Sequence, residues 1–521
     1  MWQDENVPKG KGDPDSWKRL NPGWEYRFWT DVDLDRFMKA QFPELVSLYR
    51  SYSRPVQRAD LARYCLLKRH GGLYADIDTT CLASLEPLVG DRRVVLCEEP
   101  AEHCAPATVR GLPALYFNGT MASPPEHPFW DDVIAKCRLM APRRDFDVLE
   151  TTGPLILTAA VAQWPEPSQL SLNSCNLFAG VNVHGSTDGG GTFGDYGGLT
   201  LSEHHWLGSW YDIHRENYFR RKMGSLRKAR HGLLHGRRLT LDQAKQKIDL
   251  RRLAAPVPSQ IDPVVTVLLP VRDAESHLLK CFELLERLDY PRDRLEIVFG
   301  HGDSRDASGA LIEAFIRSRE GSFRSLRMIE TKGNGPHLQR RKRYRQQFQR
   351  RRRAAIARVR NELLAQGLSP EAQWALWIDS DLVEYPPDIL RQLLAVGERI
   401  VTPNCVLTPG GDSFDFNAFL DTGTPSSATY FRYIRGGLFQ PPRDYWFRRH
   451  LHDLRYLPRV PLDGVGGTML LVEADLHRAG LLFPEIPYRD LIETEAFGRL
   501  ARDLGVIPVG LPNVEVIHAP D

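Results

Sequence analysis

Apolar positions in the first part of the chain predict a helix that leads into a short buried strand. Between residues 57 and 70, apolar side chains recur at the i, i+3 and i+4 spacing of one helix face. The glycine pair at 71–72 ends that helix. The short apolar run 73–75 then predicts a strand, and Asp76 and Asp78 follow it directly.

The second part of the chain repeats this order with stronger strand signals. Residues 264–270 form a nearly continuous apolar and β-branched run, as expected for a buried parallel strand. An amphipathic helix over 278–288 and a strand over 295–299 come next, so the pattern predicts an α/β fold with a parallel sheet. A later apolar strand at 374–378 ends in another Asp-x-Asp, at 379–381.

Length and composition favour two soluble domains. A chain of 521 residues is too long for one compact core. Its hydrophobic content of 42% and charged content of 26% are ordinary, and a net charge of +2 excludes a polycation. An arginine-rich stretch ends in Ala-Ala-Pro-Val-Pro, which is typical of a linker. We therefore predict domains at 1–212 and 262–521, joined by a basic linker at 213–261.

The cysteines and the hydropathy bear on location. Eight cysteines are scattered without a CxxC pair or zinc-type spacing, which indicates a reducing compartment. The sequence has no apolar run of membrane-spanning length and does not open with a signal-peptide pattern. We expect a cytoplasmic enzyme with peripheral contact to the inner membrane through its basic tracts. The Golgi lumen is the alternative if an N-terminal anchor precedes this sequence.

Each Asp-x-Asp can bind a metal ion. Two carboxylates at a strand end, where the chain turns, can approach one cation, and oxygen ligands of this kind suit Mg²⁺ or Mn²⁺. Such a metal can hold a diphosphate and stabilise it as a leaving group. Asp-x-Asp is also a common turn or helix cap, so the spacing alone leaves both interpretations open.

The residues around the first acidic pair form a more specific pattern. Asp60 and Arg63-Tyr64 lie on the predicted helix, and Gly-Gly-Leu-Tyr-Ala-Asp-Ile-Asp follows at 71–78. This pattern resembles the DXD-containing glycosyltransferases of family 32, which include Och-type and inositol-phosphoceramide mannosyltransferases. The resemblance covers most of residues 1–212 and closes with His-His-Trp-Leu-Gly-Ser-Trp at 204–210.

The family 32 resemblance implies a role for several residues of the first domain. Asp76 and Asp78 would hold the metal and the donor diphosphate. Asp60 and Arg63 would contact the donor, with a buried pair that braces the helix as the alternative.

The closing motif of the first domain would complete its site. By the same resemblance, His205 would be a further metal ligand, although the sequence hardly separates it from His204. Ser209 and Trp210 would close over the diphosphate, with a core position as the alternative for Trp210.

The surroundings of the second acidic pair carry a longer series of motifs. These are, in chain order, Leu-Pro-Val-Arg-Asp-Ala at 269–274, an arginine-rich segment at 352–364, Trp-Ile-Asp-Ser-Asp at 377–381, Asp-Gly-Val-Gly-Gly at 463–467 and Ile-Glu-Thr-Glu at 492–495. The series resembles glycosyltransferase family 62, the Anp-type subunits of fungal mannan polymerase. It covers about residues 262–521.

The family 62 resemblance implies the metal and nucleotide ligands of the second domain. Asp379, Asp381 and His518 would bind the metal, which favours Mn²⁺ over Mg²⁺ because imidazole is an acceptable ligand for Mn²⁺. The nucleotide contacts would come from Arg272, Asp273, Asp303, Ser304 and Arg360.

Acidic residues of the later motifs are the candidates for contact with the acceptor. Asp463, Glu493 and Glu495 could hydrogen-bond an acceptor hydroxyl or act on its proton. A turn carboxylate that caps the following glycine is the alternative for Asp463.

Both resemblances together imply two GT-A-like, Rossmann-like domains, each a metal-dependent retaining glycosyltransferase. The second would transfer mannose from GDP-mannose to a glycan or glycolipid acceptor. The first would use GDP-mannose or a UDP-sugar. No nucleic-acid recognition module accompanies the basic tracts.

Two further hypotheses remain. Family 32 members usually begin with a strand that this sequence does not show before Trp2, so the first domain could be a passive glycan-binding scaffold while only the second catalyses. The third hypothesis is a glycosylating toxin.

Overall fold

The structure is a computed structural model that describes residues 1, 13–143, 145–180, 192–207, 238–254, 261–332 and 345–520. The chain folds into two compact units, Met1–His214 and Arg215–Asp521. Each unit combines helices with a sheet, which confirms the predicted α/β class.

The first unit is built around a small mixed sheet. Its described helices are α1 (Pro14–Leu20), α2 (Asp31–Gln41), α3 (Val46–Ser51), α4 (Pro55–His70), α5 (Ala105–Thr108), α6 (Phe129–Leu139), α7 (Val148–Thr151) and α8 (Pro154–Gln163). Its described strands are β1 (Gly72–Ala75), β2 (Thr79–Cys81), β3 (Val94–Cys97), β4 (Thr120–Ser123), β5 (Leu170–Asn173) and β6 (Ser202–His204). The sheet order is β1-β4-β3-β5, and β2 pairs separately with β6 in antiparallel fashion.

Helix α4 and strand β1 occupy the positions that the sequence predicts. Pro55 begins the helix, where a missing amide proton costs nothing. Gly71 ends it with φ 64°, and a Cβ there would lie 2.4 Å from the backbone nitrogen of Pro125. Only glycine fits this turn, which directs β1 toward Asp76 and Asp78.

The second unit contains a larger, mostly parallel sheet. Its described helices are α9 (Leu241–Lys245), α10 (Leu250–Leu253), α11 (Glu275–Glu286), α12 (Ser308–Ser318), α13 (Gln346–Gly367), α14 (Ile389–Ala395), α15 (Ser427–Arg432), α16 (Ala474–Arg478) and α17 (Glu493–Asp503). Its described strands are β7 (Val265–Val271), β8 (Leu295–His301), β9 (Ser325–Glu330), β10 (Trp374–Ile378), β11 (Leu382–Glu384), β12 (Ile400–Val406), β13 (Phe419–Asp421), β14 (Ile434–Arg435), β15 (Leu438–Phe439), β16 (Arg448–His450), β17 (Val460–Pro461), β18 (Met469–Glu473) and β19 (Val509–His518).

Strand order brings several loops to one edge of this sheet. The order is β11-β19-β12-β18-β10-β7-β8-β9, with β17 beside β19. Strands β7, β8, β9 and β10 run parallel, and β18 runs antiparallel between β10 and β12. The carboxyl ends of β7, β8, β10, β12 and β19 therefore meet at the edge where β18 begins. Ligands bind at such an edge in open α/β sheets.

The segment 213–261 contributes to the second unit. Within it, α9 begins with a capping box between Thr240 and Gln243, and Leu253 of α10 is buried. Part of the segment that the sequence predicts as a linker is therefore folded.

Two general features accompany this fold. No helix in the described ranges is both long and apolar enough to cross a membrane. All eight cysteines are free, and all of them except Cys104 are buried.

Candidate active sites

Two carboxylates and one imidazole converge after β1. Asp76 and Asp78 leave the end of the strand, and the pairing of β2 with β6 places His204 opposite Thr79. The Nε2 atom of His204 lies 3.2 Å from Oδ1 of Asp78. Within the described part of the chain, these three side chains form the one group whose ligand atoms all lie within 4.8 Å of one another and could hold a metal. Burial opposes the charge of Asp78, but the contact with His204 and the backbone hydrogen bonds, including one from Leu207, together lower its pKa.

A buried arginine anchors Asp76. Nη1 of Arg63 lies 3.3 Å from Oδ2 of Asp76 and donates to the carbonyl oxygen of Asn118 at 2.7 Å. Its Nη2 lies 3.1 Å from Oδ1 of Asp60. Tyr74 also donates to Oδ1 of Asp76, at 2.5 Å. The tyrosine stands in the family pattern, but its role was not predicted.

Asp60 and Arg63, the expected donor contacts, are paired with each other inside the first unit. Asp60 is 2% exposed and Arg63 is 4% exposed. The carboxylate of Asp60 also accepts hydrogen bonds from Asn118 at 3.1 Å and Thr152 at 2.9 Å. Because both terminal nitrogens of Arg63 and both carboxylate oxygens of Asp60 already have partners inside the unit, the geometry supports the bracing alternative.

The histidine beside the first acidic pair is His204 and not the expected metal ligand His205. The ring of His205 is exposed, and its Nε2 lies 2.7 Å from the hydroxyl of Thr80. His204 is the last residue of β6 and lies beside the carboxylates, whereas His205 follows the strand and contacts Thr80. Ser209 and Trp210 lie outside the described residues.

The second acidic pair follows β10 at the ligand-binding edge of the larger sheet. Oδ1 of Asp381 lies 3.1 Å from Nε2 of His518, the last residue of β19. This carboxylate oxygen is buried, and apart from the ion pair with His518 it has no hydrogen-bond partner among the described residues. An oxygen left in this state beside an imidazole suits a cation. Although burial opposes its charge, the carboxylate of Asp381 raises the pKa of His518 to about 9.

Arg360 anchors Asp379 in the second unit. Nη2 of Arg360 donates to Oδ1 of Asp379 and to the carbonyl oxygen of Gly467, both at 3.1 Å. Its Nε lies 3.2 Å from Oε1 of Glu493. The side chain is 3% exposed, and its Nη1 has no hydrogen-bond partner in the described ranges. Asp379, Asp381 and His518 are not as close to one another as the three residues of the first site, by the same 4.8 Å measure.

Asp415 is a residue of the second site that sequence analysis missed. Its Oδ2 accepts hydrogen bonds from the backbone of Gly467 at 2.8 Å and from the hydroxyl of Thr468 at 3.0 Å. A Cβ on Gly466 would lie 2.4 Å from this oxygen. Burial, and after it the charges of Asp381 and Asp415, raise the pKa of Asp379 to about 7, although Arg360 opposes the shift. The glycines at 466–467 were the one sequence signal for this contact, since a position without a side chain lets another residue approach the backbone closely.

The predicted nucleotide residues at the ends of β7 and β8 lie together. Nε of Arg272 lies 3.0 Å from Oδ1 of Asp303, and the amide of Asp273 donates to the hydroxyl of Ser304 at 3.1 Å. Asp273 adopts φ 49°, which a non-glycine residue seldom does. The four residues link the two strand ends at the edge that carries the second acidic pair.

The three expected acceptor residues are all paired with arginines. Asp463 is 5% exposed, and its Oδ1 lies 2.6 Å from Nη1 of Arg499. Glu495 is buried and accepts from Arg353 at 2.8 Å, while Glu493 is paired with Arg360. Because their carboxylates are buried and paired with internal arginines, contact with an acceptor stays a prediction for all three.

Comparison with known proteins gives separate family matches for the two parts of the chain. Residues 245–487 match the Anp1 family, and residues 11–95 match the glycosyltransferase sugar-binding region containing DXD motif. The chain is 30% identical over 276 residues to the mannan polymerase complex subunit mnn9 of Schizosaccharomyces pombe, covering 48% of this chain and 81% of that protein. The chain belongs to the Anp1 family. Both resemblances predicted from the sequence are thereby confirmed, and this Anp1-family chain is a glycosyltransferase.

Further matches fall on shorter parts of the relatives. The Anp1-family chain is 31% identical over 158 residues to the mannosyl phosphorylinositol ceramide synthase CSH1 of Saccharomyces cerevisiae, covering 30% of this chain and 38% of that protein. Among solved structures, it is similar to the mannosyltransferase PcManGT from Pyrobaculum calidifontis in complex with GDP-Man and Mn²⁺. That match has 16% identity and a TM-score of 0.29, and it covers 58% of this chain and 68% of that chain.

Proposed function

We propose that the chain is a bifunctional, metal-dependent, retaining mannosyltransferase that uses GDP-mannose in polysaccharide or glycan synthesis. One observation carries the proposal: an acidic pair with an arginine on its first carboxylate and an imidazole on its second follows a strand in both units. The members are Asp76, Asp78, Arg63 and His204 in the first unit and Asp379, Asp381, Arg360 and His518 in the second.

The residues of both sites fit a divalent cation. Asp76 and Asp78 would hold it in the first unit, and Asp379, Asp381 and His518 would hold it in the second. The buried Oδ1 of Asp381, which lies 3.1 Å from Nε2 of His518 and has no other hydrogen-bond partner among the described residues, supports this assignment. Once bound, the cation would neutralise the donor diphosphate as it leaves. We propose Mn²⁺ for the second unit because one of its ligands is a nitrogen.

Arg360 is the residue best placed to bind the diphosphate in the second unit. Its Nη2 is engaged by Asp379, whereas its buried Nη1 has no partner in the described ranges. A guanidinium can bind two oxygens in one plane, and a phosphate could fill the open position. The linked residues at the ends of β7 and β8, such as Arg272 and Asp303, would seat the nucleotide at the same edge.

The identity of the sugar rests on the relatives. Two family models match different parts of the chain, and the relatives include mannan polymerase subunits and a mannosyl phosphorylinositol ceramide synthase. These names support mannose transfer by both units, with a UDP-sugar as the alternative for the first. They also support a glycan or glycolipid acceptor and assembly with another subunit. We assign no general base, because the three candidate carboxylates are paired with arginines.

A donor-hydrolysis screen with Mn²⁺ tests the proposal. GDP-mannose, UDP-glucose, UDP-galactose and UDP-GlcNAc would be compared on the wild type, on Asp76→Asn/Asp78→Asn and on Asp379→Asn/Asp381→Asn. If the two units use different donors, we expect each double variant to lose the use of one donor. If both units use GDP-mannose, we expect each double variant to lose part of the GDP-mannose turnover. If only the second pair affects turnover, the first unit is the passive scaffold. If neither affects metal-dependent turnover, with or without an added mannoside acceptor, the proposal is wrong.

A further inference from the structure

The histidines beside the two acidic pairs differ in the backbone group that lies next to Nδ1: an N–H donor in one case and a carbonyl acceptor in the other. Nδ1 of His204 accepts a hydrogen bond from the backbone N–H of Trp206 at 3.1 Å. Nδ1 of His518 lies 2.6 Å from the carbonyl oxygen of Ala519, which can only accept. Nδ1 therefore carries no proton in His204 and carries one in His518.

These contacts leave Nε2 with different chemistry in the two rings. An imidazole whose Nδ1 accepts a hydrogen bond carries its proton on Nε2, which in His204 lies 3.2 Å from Oδ1 of Asp78. A protonated nitrogen has no lone pair for a cation. His518 keeps its Nδ1 proton on the carbonyl, so its Nε2 can give up a proton to a cation. Metal-binding histidines usually hold their other nitrogen in this way.

Neighbouring rings hold His204 in this orientation. The indole of Trp206 lies edge-on to the imidazole at 4.4 Å between ring centroids, and Phe117 lies edge-on to it at 5.1 Å. Trp206 adopts φ 50°, which directs its N–H back to the imidazole. Turning the ring over would place a carbon against that N–H, so the contact assigns the ring orientation as well as the tautomer.

We infer that His204 is a positioning residue for Asp78 and not a metal ligand, so that among these three side chains only the carboxylates of Asp76 and Asp78 bind the cation. The inference rests on the proposed function, since it assumes a cation at that pair. The proposed ligand set of the second unit differs, because it contains a nitrogen of His518 in addition to the carboxylate oxygens of Asp379 and Asp381.

The difference predicts different metal requirements for the two units. Oxygen ligands suit Mg²⁺ and Mn²⁺ alike, whereas an imidazole favours Mn²⁺. With Mg²⁺ in place of Mn²⁺, we expect first-unit turnover to change by less than about threefold and second-unit turnover to fall by about tenfold or more.

Metal-free NMR tests the tautomer directly. Protein labelled with ¹⁵N in its histidine rings would be studied by long-range ¹H–¹⁵N correlation at neutral pH, with His204→Gln used to assign the signal. We expect a proton on Nε2 of His204 and none on Nδ1. A proton on Nδ1 would overturn the inference without bearing on whether a metal binds.

Electron paramagnetic resonance of bound Mn²⁺ tests the ligand sets. With Asp379→Asn/Asp381→Asn, Mn²⁺ in the first unit should show no coupling to a directly bound ¹⁵N-histidine. With Asp76→Asn/Asp78→Asn, Mn²⁺ in the second unit should show one, and His518→Gln should remove it. Coupling in the first unit that His204→Gln removes would overturn the inference and leave the proposed function standing. If the first unit bound no Mn²⁺, the proposed function would fail there, and the NMR experiment would still decide the tautomer.

A conservative replacement separates positioning from ligation. The amide of His204→Gln can still donate to Asp78, whereas His204→Ala cannot. We expect Mn²⁺ affinity in the first unit to fall by less than about threefold for glutamine and by about tenfold for alanine, since outer partners of metal ligands contribute at this level. Equal losses for the two variants would contradict the inference. Glu203→Gln, on the opposite face of the same strand, should leave the affinity unchanged.

Discussion

The two units place the same electrostatic arrangement on different sheets. In each, a long helix precedes a strand, and an arginine of that helix anchors the first aspartate after the strand. Arg63 of α4 lies 3.3 Å from Asp76, and Arg360 of α13 lies 3.1 Å from Asp379. Each arginine also donates to a backbone carbonyl and stays almost fully buried. An acidic pair after a strand requires such a cation because its two carboxylates repel each other.

The difference between the arginines lies in their remaining partners. Arg63 pairs with Asp60 of the same helix, and both terminal nitrogens of its guanidinium are engaged. Arg360 pairs with Glu493 from a distant helix, and its Nη1 has no partner in the part of the chain that the structure describes. The first arrangement closes both terminal nitrogens and leaves only Nε of Arg63 without a partner in the described ranges, whereas the second leaves a terminal nitrogen of Arg360 open to a ligand. A buried arginine near an acidic pair is therefore not by itself evidence of diphosphate binding.

The largest expected effect is a loss of stability, and it tests whether Arg63 braces the first unit or contacts the donor. Arg63→Leu leaves Asp60 buried without its cation, which should lower the free energy of unfolding of the first unit by about 3–5 kcal/mol. Urea unfolding followed by amide hydrogen exchange in α4 and β1 would measure the loss.

Arg69 provides a matched control on the same helix. It pairs with Glu126 at 2.8 Å, but both side chains are at least half exposed. Arg69→Leu should therefore cost less than about 1 kcal/mol. If Arg63→Leu cost no more than Arg69→Leu but weakened donor binding, Arg63 would contact the donor and the distinction between a closed and an open arginine would not hold.

A smaller effect concerns the acid stability of the second unit. His477 is buried, accepts from Nε1 of Trp377 at 3.3 Å and lies with its Nδ1 2.8 Å from the carbonyl oxygen of Leu481. Burial lowers its pKa to about 4. The unfolded chain binds a proton here near pH 6.5 and the folded unit does not, so stability is present above pH 6.5 and is lost as pH falls toward 4.

The loss from His477 can be isolated by substitution. Each pH unit in this range is worth about 1.4 kcal/mol, so the wild type should lose about 2 kcal/mol from this group between pH 6.5 and 5. Urea unfolding of wild type and His477→Gln across this range should show a shallower pH dependence for the variant. Parallel pH profiles would show that the folded unit accommodates the charged ring.

Sequence analysis predicted features that depend on local order and missed those that depend on distant packing. Helix α4, the glycine turn and the first acidic pair are contiguous, so their arrangement follows from the chain itself. Asp415 lies on a loop without a motif and reaches the site only through the fold. Asp463 is the opposite case: the sequence motif suggested contact with the acceptor, but the folded chain buries this carboxylate. Its pairing with Arg499 depends on how α17 packs.

The smallest effect that we predict tests the open position of Arg360. A Cβ on Gly467 would lie 2.6 Å from Nη2 of Arg360 and 3.2 Å from Cγ2 of Thr494. Gly467→Ala should therefore shift the guanidinium from Asp379 and lower second-unit donor turnover by about tenfold, which corresponds to about 1.4 kcal/mol. Turnover would be measured in the Asp76→Asn/Asp78→Asn background, and first-unit turnover in the Asp379→Asn/Asp381→Asn background serves as the control. Unchanged second-unit turnover would mean that the position of Arg360 does not limit donor use, so the open donor would not distinguish the two units.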